Sequence, residues 1–248
     1  MVNLYVLYYH CMNMRISIKI ALRFTTIYLI WFFCSLIGAS AQSGLLVNNL
    51  PIQLSDSKGS NVVLVIYLSG DGGWNDFNQQ LAKGFEKLGY GVVALNTRKY
   101  FWDQKSPEDF ADDIDQLSKY YMKEWKKTSV MIVGYSFGAD VGIFLADRVS
   151  NELQKKIIKI ALISPSASSD FVIRLSDMIG ESENVNRKYK VKPEIEKVDL
   201  PVVCIFGKDE ELMLKTNLRQ NKNLTIYELP GDHRYNDNYT ALIKMIGM

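Results

Sequence analysis

Ser136 stands in the run Gly134-Tyr135-Ser136-Phe137-Gly138, a hydroxyl with a glycine two residues to either side. The apolar stretch Val130–Val133 leads into it, and a segment with helical spacing follows. A serine at a strand-to-helix turn of this kind is held in a strained conformation with its Oγ exposed, and the glycines let helix and strand close around it. The chemistry this permits is nucleophilic attack on an acyl carbon. The N–H of Phe137, next in the chain, is then placed to receive the developing oxyanion at the helix N-terminus. The plainer reading is a tight corner in which Ser136 only caps the helix.

A serine nucleophile needs a base. The chain has two histidines, and His10 lies in the apolar N-terminal segment, so His233 is the candidate. It follows a strand-like run and precedes the last helical segment, within Gly231-Asp232-His233. The acid that orients the imidazole is expected between the two in chain order. Asp209, just beyond the buried run Val202–Phe206, is the expected residue, with Glu210 its nearest rival; Asp232 is expected to shape the turn. The second oxyanion donor is expected from Leu68-Ser69-Gly70-Asp71-Gly72-Gly73-Trp74, where glycines allow close backbone approach. The Asp71 N–H is the expected donor, with Gly70 against the substrate. Tyr135, beside the nucleophile, joins the expected binding set. No Gly-Lys-Ser/Thr follows this loop, which argues against a phosphate cradle. No cofactor or metal is expected, since one His and one Cys beyond the N-terminal segment supply few nitrogen or sulfur ligands.

The elements that must hold these residues alternate. Strands are expected at Val62–Leu68, Gly91–Leu95, Ser129–Val133, Ile157–Ile163, Val202–Phe206 and Leu224–Leu229. Helices are expected at Asp76–Leu88, from Ser106 through Tyr121, at Gly138–Val149 and at Tyr239–Ile246. Ser106-Pro107-Glu108-Asp109 has the order of a capped helix start. Continuously apolar strands alternating with amphipathic helices predict an α/β fold with a mostly parallel sheet covered on both faces, and the serine turn with a histidine on a late loop makes the α/β-hydrolase fold the expected one. Leu45–Leu54 is expected to add an edge strand or two, and 164–200 a small cap.

Residues 1–41 contain Arg15, Lys19 and Arg23 but no acidic residue, then the apolar run Ile27–Ile37 and Ala39-Ser40-Ala41. This order predicts an exported protein whose leader is cleaved after Ala41, with Met14 a plausible start; an uncleaved anchor is the alternative. Loss of those three basic residues from the chain's 29 leaves 26 against 27 acidic ones. A near-neutral remainder argues against nucleic acid as a partner. It also leaves Cys204 alone, inside an apolar stretch, where a buried and inert thiol is expected. The remaining residues, 42–248, are expected to form one hydrolase domain.

Ser69-Gly70-Asp71-Gly72-Gly73-Trp74, Tyr100-Phe101-Trp102, Gly134-Tyr135-Ser136-Phe137-Gly138-Ala139-Asp140-Val141 and Leu229-Pro230-Gly231-Asp232-His233 together resemble the bacterial virulence protein VirJ/AcvB family. The resemblance covers roughly residues 60–245. It implies a periplasmic serine esterase that acts on aminoacyl-phospholipid esters such as lysyl-phosphatidylglycerol. The alternative it implies, through its VirJ members, is a non-catalytic module that escorts exported proteins in type IV secretion. Where the family has paired histidines the chain has His233-Arg234, and Asn96 replaces an expected Asp. A cationic lysyl ester would call for carboxylates, for which Asp71, Asp103 and Asp140 are candidates, and Trp102 is the expected aromatic wall.

Overall fold

The computed structural model describes residues 47, 49–55, 59, 61–174 and 186–247. The chain divides into two compact units, Met1–Asn48 and Asn49–Met248, and the second carries every element discussed below. The expected leader and its cleavage point lie outside the described residues. Among the described residues no helix is long and apolar enough to cross a membrane.

Nine strands form. They are β1 (Ile52–Ser55), β2 (Val63–Leu68), β3 (Gly91–Leu95), β4 (Ser129–Tyr135), β5 (Ile157–Ile163), β6 (Ser168–Ser169), β7 (Tyr189–Lys190), β8 (Val202–Gly207) and β9 (Leu224–Leu229). Seven of them make one sheet in the order β1-β3-β2-β4-β5-β8-β9. All neighbours are parallel except the edge strand β1, which runs antiparallel to β3. β6 and β7 pair separately as a short hairpin.

Both faces of the sheet are covered because its strands are apolar on both. From β2, Val65 and Tyr67 join one cluster with Phe77, Leu81 and Phe85 of helix α1 (Asp76–Lys87). Leu242 and Ile246 of the closing helix α9 (Tyr239–Gly247) enter the same cluster. Leu64, Ile66 and Leu68 point to the opposite face and are fully buried. Over that face lies helix α3 (Pro107–Glu124), with Phe110, Ile114 and Leu117 buried. Each such aliphatic or aromatic side chain contributes about 1.5–3 kcal/mol by leaving water. Ser106 caps α3, its Oγ accepting from the Asp109 N–H at 3.0 Å, with Pro107 at the first helical position.

The elements that differ from expectation are local. The helix expected over Gly138–Val149 is two pieces, α4 (Phe137–Gly142) and α5 (Leu145–Arg148). A one-turn helix α2 (Thr97–Tyr100) follows β3, capped by Asn96 Oδ1, which accepts from the Lys99 N–H at 3.2 Å. Asparagine thus does there what an aspartate would do. The region 164–200 holds the β6–β7 hairpin and helix α7 (Val191–Lys197), with 175–185 outside the described residues. Two further short helices are α6 (Asn151–Gln154), before β5, and α8 (Met213–Asn217), after β8.

β3 and β4 lie on opposite sides of β2, so the strand order reverses there. Open α/β sheets bind ligands in the crevice beyond the carboxyl ends of the strands at such a point. The loops that follow β2 and β4 carry Gly70–Trp74 and Ser136.

Candidate active site

Ser136 has φ 53° and ψ −124°, a conformation that costs a non-glycine residue strain. Its N–H donates to Ile163 O at 2.8 Å, and its carbonyl accepts from Ala139 N at 2.7 Å. Those bonds fix the turn on the sheet and start α4. The two bracketing glycines are required by contact. A Cβ on Gly134 would stand 2.3 Å from Gly138 O, and one on Gly138 would stand 2.3 Å from Leu68 O. Phe137 opens α4, so its N–H belongs to the helix's first turn, which has no acceptor within the helix.

The loop after β2 reaches the same point. A Cβ on Gly70 would meet Ser136 Cβ at 3.2 Å and the Tyr135 ring at 3.3 Å. Gly70 O accepts from Gly73 N at 2.9 Å, which closes a turn around Asp71 and Gly72. Three side chains the sequence did not single out hold that turn. Thr97 donates its N–H to Ser69 Oγ at 3.1 Å and its hydroxyl to Ser69 O at 2.6 Å. Asn78 donates Nδ2 to Gly73 O at 2.8 Å and accepts from the Tyr67 hydroxyl at 2.5 Å. Burial pushes the Tyr67 phenol up, so it stays a donor. The turn is therefore set before any ligand arrives.

The carboxylate that meets His233 is Glu210, not the expected Asp209. Glu210 Oε1 lies 2.5 Å from His233 Nδ1, and its side chain is 4% exposed. Oε2 accepts from Gly207 N at 2.5 Å and from Ser164 Oγ at 2.9 Å. Asp209 is exposed, and its N–H is spent on Gly231 O at 3.1 Å, tying the acid loop to the histidine loop. The cause is the turn after β8. Glu210 N donates back to Gly207 O at 3.3 Å, which brings residue 210 round to the inside. Lys215 Nζ fastens the turn, donating to Gly207 O and Lys208 O, each at 2.8 Å.

A carboxylate oxygen accepts, so the pairing favours the tautomer in which Nδ1 donates and Nε2 keeps its lone pair. The ring is placed from several sides. Asp232 Oδ1 accepts from Arg234 N at 2.8 Å, so Asp232 shapes the turn as expected. The Tyr135 hydroxyl donates to His233 O at 3.0 Å, linking the residue before Ser136 to the histidine. Tyr235, Asn236 and Asp237 all have positive φ, a strained descent from the histidine into α9. Tyr235 is fully buried and donates its hydroxyl to Ile205 O at 2.8 Å, with Ser164 Oγ 2.5 Å away. A hydrogen-bonded chain thus runs from the buried Tyr235 and Ser164 through Glu210 to the half-exposed His233. Burial, with the Glu210 charge second, pushes the Tyr235 phenol up.

Two residues expected to bind substrate are engaged otherwise. Asp140 is 3% exposed and accepts from Ser166 N at 2.5 Å, so it holds the loop after β5. Tyr135 is buried and spent on the histidine loop, and burial followed by the nearby Glu210 pushes its phenol up. Gly70 is at the serine. Trp102 is exposed and lines, with Asp103, a cleft beside the glycine turn. Its neighbours Tyr100 and Phe101 pack into the core, Phe101 stacking edge-on against Phe137 at 5.2 Å. Cys204 is a buried free thiol whose pKa burial pushes up. Among the described residues no three His, Cys, Asp or Glu side chains are grouped to hold a metal ion.

The family described as Bacterial virulence protein (VirJ) matches residues 62–247. The chain belongs to the VirJ family. This VirJ-family chain shares its α/β-hydrolase fold with solved structures at low identity. A lipase-esterase related protein from Clostridium acetobutylicum is 15% identical with TM-score 0.57, over 80% of this chain and 98% of that one. An alpha-beta serine hydrolase homologue from Coxiella burnetii is 16% identical with TM-score 0.56, over 79% and 88%. Est1E from Butyrivibrio proteoclasticus is 14% identical with TM-score 0.55, over 79% and 93%. One curated relative, Protein phosphatase methylesterase 1 of Candida glabrata, is 30% identical over 88 residues, 32% of this chain. The match spans only 22% of that protein's length.

Proposed function

We propose that the protein is a serine esterase exported to the periplasm. Its reaction begins when His233 Nε2 takes the Ser136 proton as Oγ bonds to the ester carbonyl carbon. The carbonyl oxygen becomes the oxyanion and is held by the N–H groups of Phe137 and Asp71. Collapse breaks the bond to the alcohol, which leaves with the proton from His233. Water, deprotonated by Nε2, then attacks the acyl-enzyme, releases the acid and restores Ser136. Glu210 keeps the imidazole in the required tautomer and stabilises the imidazolium.

The observation that carries this reading is the 2.5 Å pair of His233 Nδ1 with a buried carboxylate, on a loop bonded to the residue before a strained serine. An aminoacyl-phospholipid ester, lysyl-phosphatidylglycerol first, is the proposed substrate. The likeness to the VirJ/AcvB pattern supports it. Asp71 retains an accessible carboxylate for a lysyl ammonium; Asp140 is buried, and Asp103 shares its cleft with Arg98 and Lys99. Purified protein is expected to release lysine from lysyl-phosphatidylglycerol vesicles, and Ser136→Ala to lower kcat by about 10⁴–10⁶-fold. Retained hydrolysis in Ser136→Ala refutes the assignment. Cell fractionation and N-terminal sequencing test export, with Gln42 the expected first residue of the mature chain.

A further inference from the structure

The cleft that Trp102 lines contains two cations with no described counter-ion. It has a volume of about 540 Å³, and its walls include Gly73, Trp74, Arg98, Lys99, Trp102 and Asp103. Arg98 is half-buried, and its aliphatic stem lies against Gly73, where a Cβ would meet it at 3.3 Å. The stem is thus fixed while the guanidinium stays available. Among the described residues neither Arg98 nor Lys99 donates its charged head to a carboxylate or carbonyl. Arg148, also half-buried, instead pairs with Glu194 at 2.7 Å.

We propose that this cleft is an anion subsite that takes the phosphodiester of the ester substrate; the assignment rests on the esterase reading. Charge favours a diester. Two cations and the Asp103 carboxylate leave the cleft a net single positive charge, which one phosphodiester monoanion balances. Arg98 offers a planar fork of donors to phosphate oxygens and Lys99 a point charge. The faces of Trp74 and Trp102 give an apolar wall to the glycerol carbons beside the phosphate. Position favours the same substrate as the serine. Gly73 closes a β-turn on Gly70, so the two lie within about 7 Å, and Gly70 abuts Ser136. The cleft and Ser136 therefore lie against the two ends of one turn.

The test compares two butyrate esters, 1-butyrylglycerol and its methyl phosphodiester, on the full chain. The ratio of their kcat/KM values, charged over neutral, is expected to fall about 30-fold in Arg98→Gln/Lys99→Gln, the scale of one or two charge-assisted hydrogen bonds. Arg98→Lys alone, which keeps the charge but not the fork, is expected to lose less of the ratio than the double variant. An unchanged ratio in the double variant overturns the subsite. A binding arm stands apart from catalysis: sn-glycero-3-phosphoglycerol titrated into Ser136→Ala protein by calorimetry, beside inorganic phosphate. Saturable binding of the diester, lost in the double variant, supports the subsite even if neither ester is hydrolysed, and that failure then falls on the esterase reading alone. Binding of inorganic phosphate without the diester, or of neither, overturns it.

Discussion

Glu210→Gln exchanges one carboxylate oxygen for an amide nitrogen at a point where every neighbour is a donor. His233 Nδ1, Gly207 N and Ser164 Oγ all present hydrogens to Glu210. If the amide nitrogen faces Gly207 and Ser164, two buried donors oppose a third, at about 1–3 kcal/mol for each unmatched group. If it faces His233, Nδ1 must accept, the proton moves to Nε2, and the imidazole cannot take the Ser136 proton. Either orientation also removes the charge that stabilises the imidazolium. Loss of the corresponding carboxylate in triad enzymes lowers kcat by about 10⁴-fold, and Glu210→Gln is expected to fall within tenfold of that. Asp209→Asn, on an exposed side chain, is expected to change kcat less than threefold. The assay is initial-rate hydrolysis of p-nitrophenyl butyrate, with circular dichroism to show that both variants are folded. A damaging Asp209→Asn beside a nearly wild-type Glu210→Gln refutes the assignment of the acid.

Other consequences follow from the same contacts. Gly138→Ala places a Cβ 2.3 Å from Leu68 O, so soluble yield and thermal midpoint should collapse, and a well-folded variant contradicts the elbow geometry. Tyr235→Phe loses the bond to Ile205 O and a partner of Ser164, so the midpoint should fall by about 2–8 °C, from 1–2 kcal/mol at 2–4 °C each. An unchanged midpoint would deny that chain its role. Burial holds the Cys204 thiol protonated, its pKa pushed up, so iodoacetamide at pH 8 should leave the Cys204 peptide unmodified in folded protein and alkylate it in guanidinium. Rapid native alkylation would contradict the burial.

The architecture was readable because strands β2 to β5 and β8 are apolar on both faces, a pattern that buried parallel strands share. The elbow was readable for a related reason: strand, glycine, serine, glycine and helix occur in one local run. The acid was not, because Asp209 and Glu210 differ only in which way a turn faces. That direction is set by bonds from Gly207 and to Gly231, which are distant or local to the fold rather than to the pattern. Asp140 misled for a similar reason: a carboxylate beside the nucleophile is bonded to Ser166, beyond the neighbouring strand β5. Thr97, Asn78, Ser164 and Tyr235 carry no motif of their own. Their roles depend on strand order, since β3 must lie beside β2 before Thr97 can clamp Ser69.

Activation of Ser136 is the claim on which the catalytic account stands, and labelling by a fluorophosphonate reads it without knowledge of the substrate. Mass spectrometry of the labelled wild-type chain is expected to place the adduct on Ser136, with labelling abolished in Ser136→Ala and slowed by at least about 10³-fold in His233→Ala. A folded wild-type protein that resists the probe, or that labels equally without His233, would contradict it and leave a hydrolase fold that binds rather than cleaves.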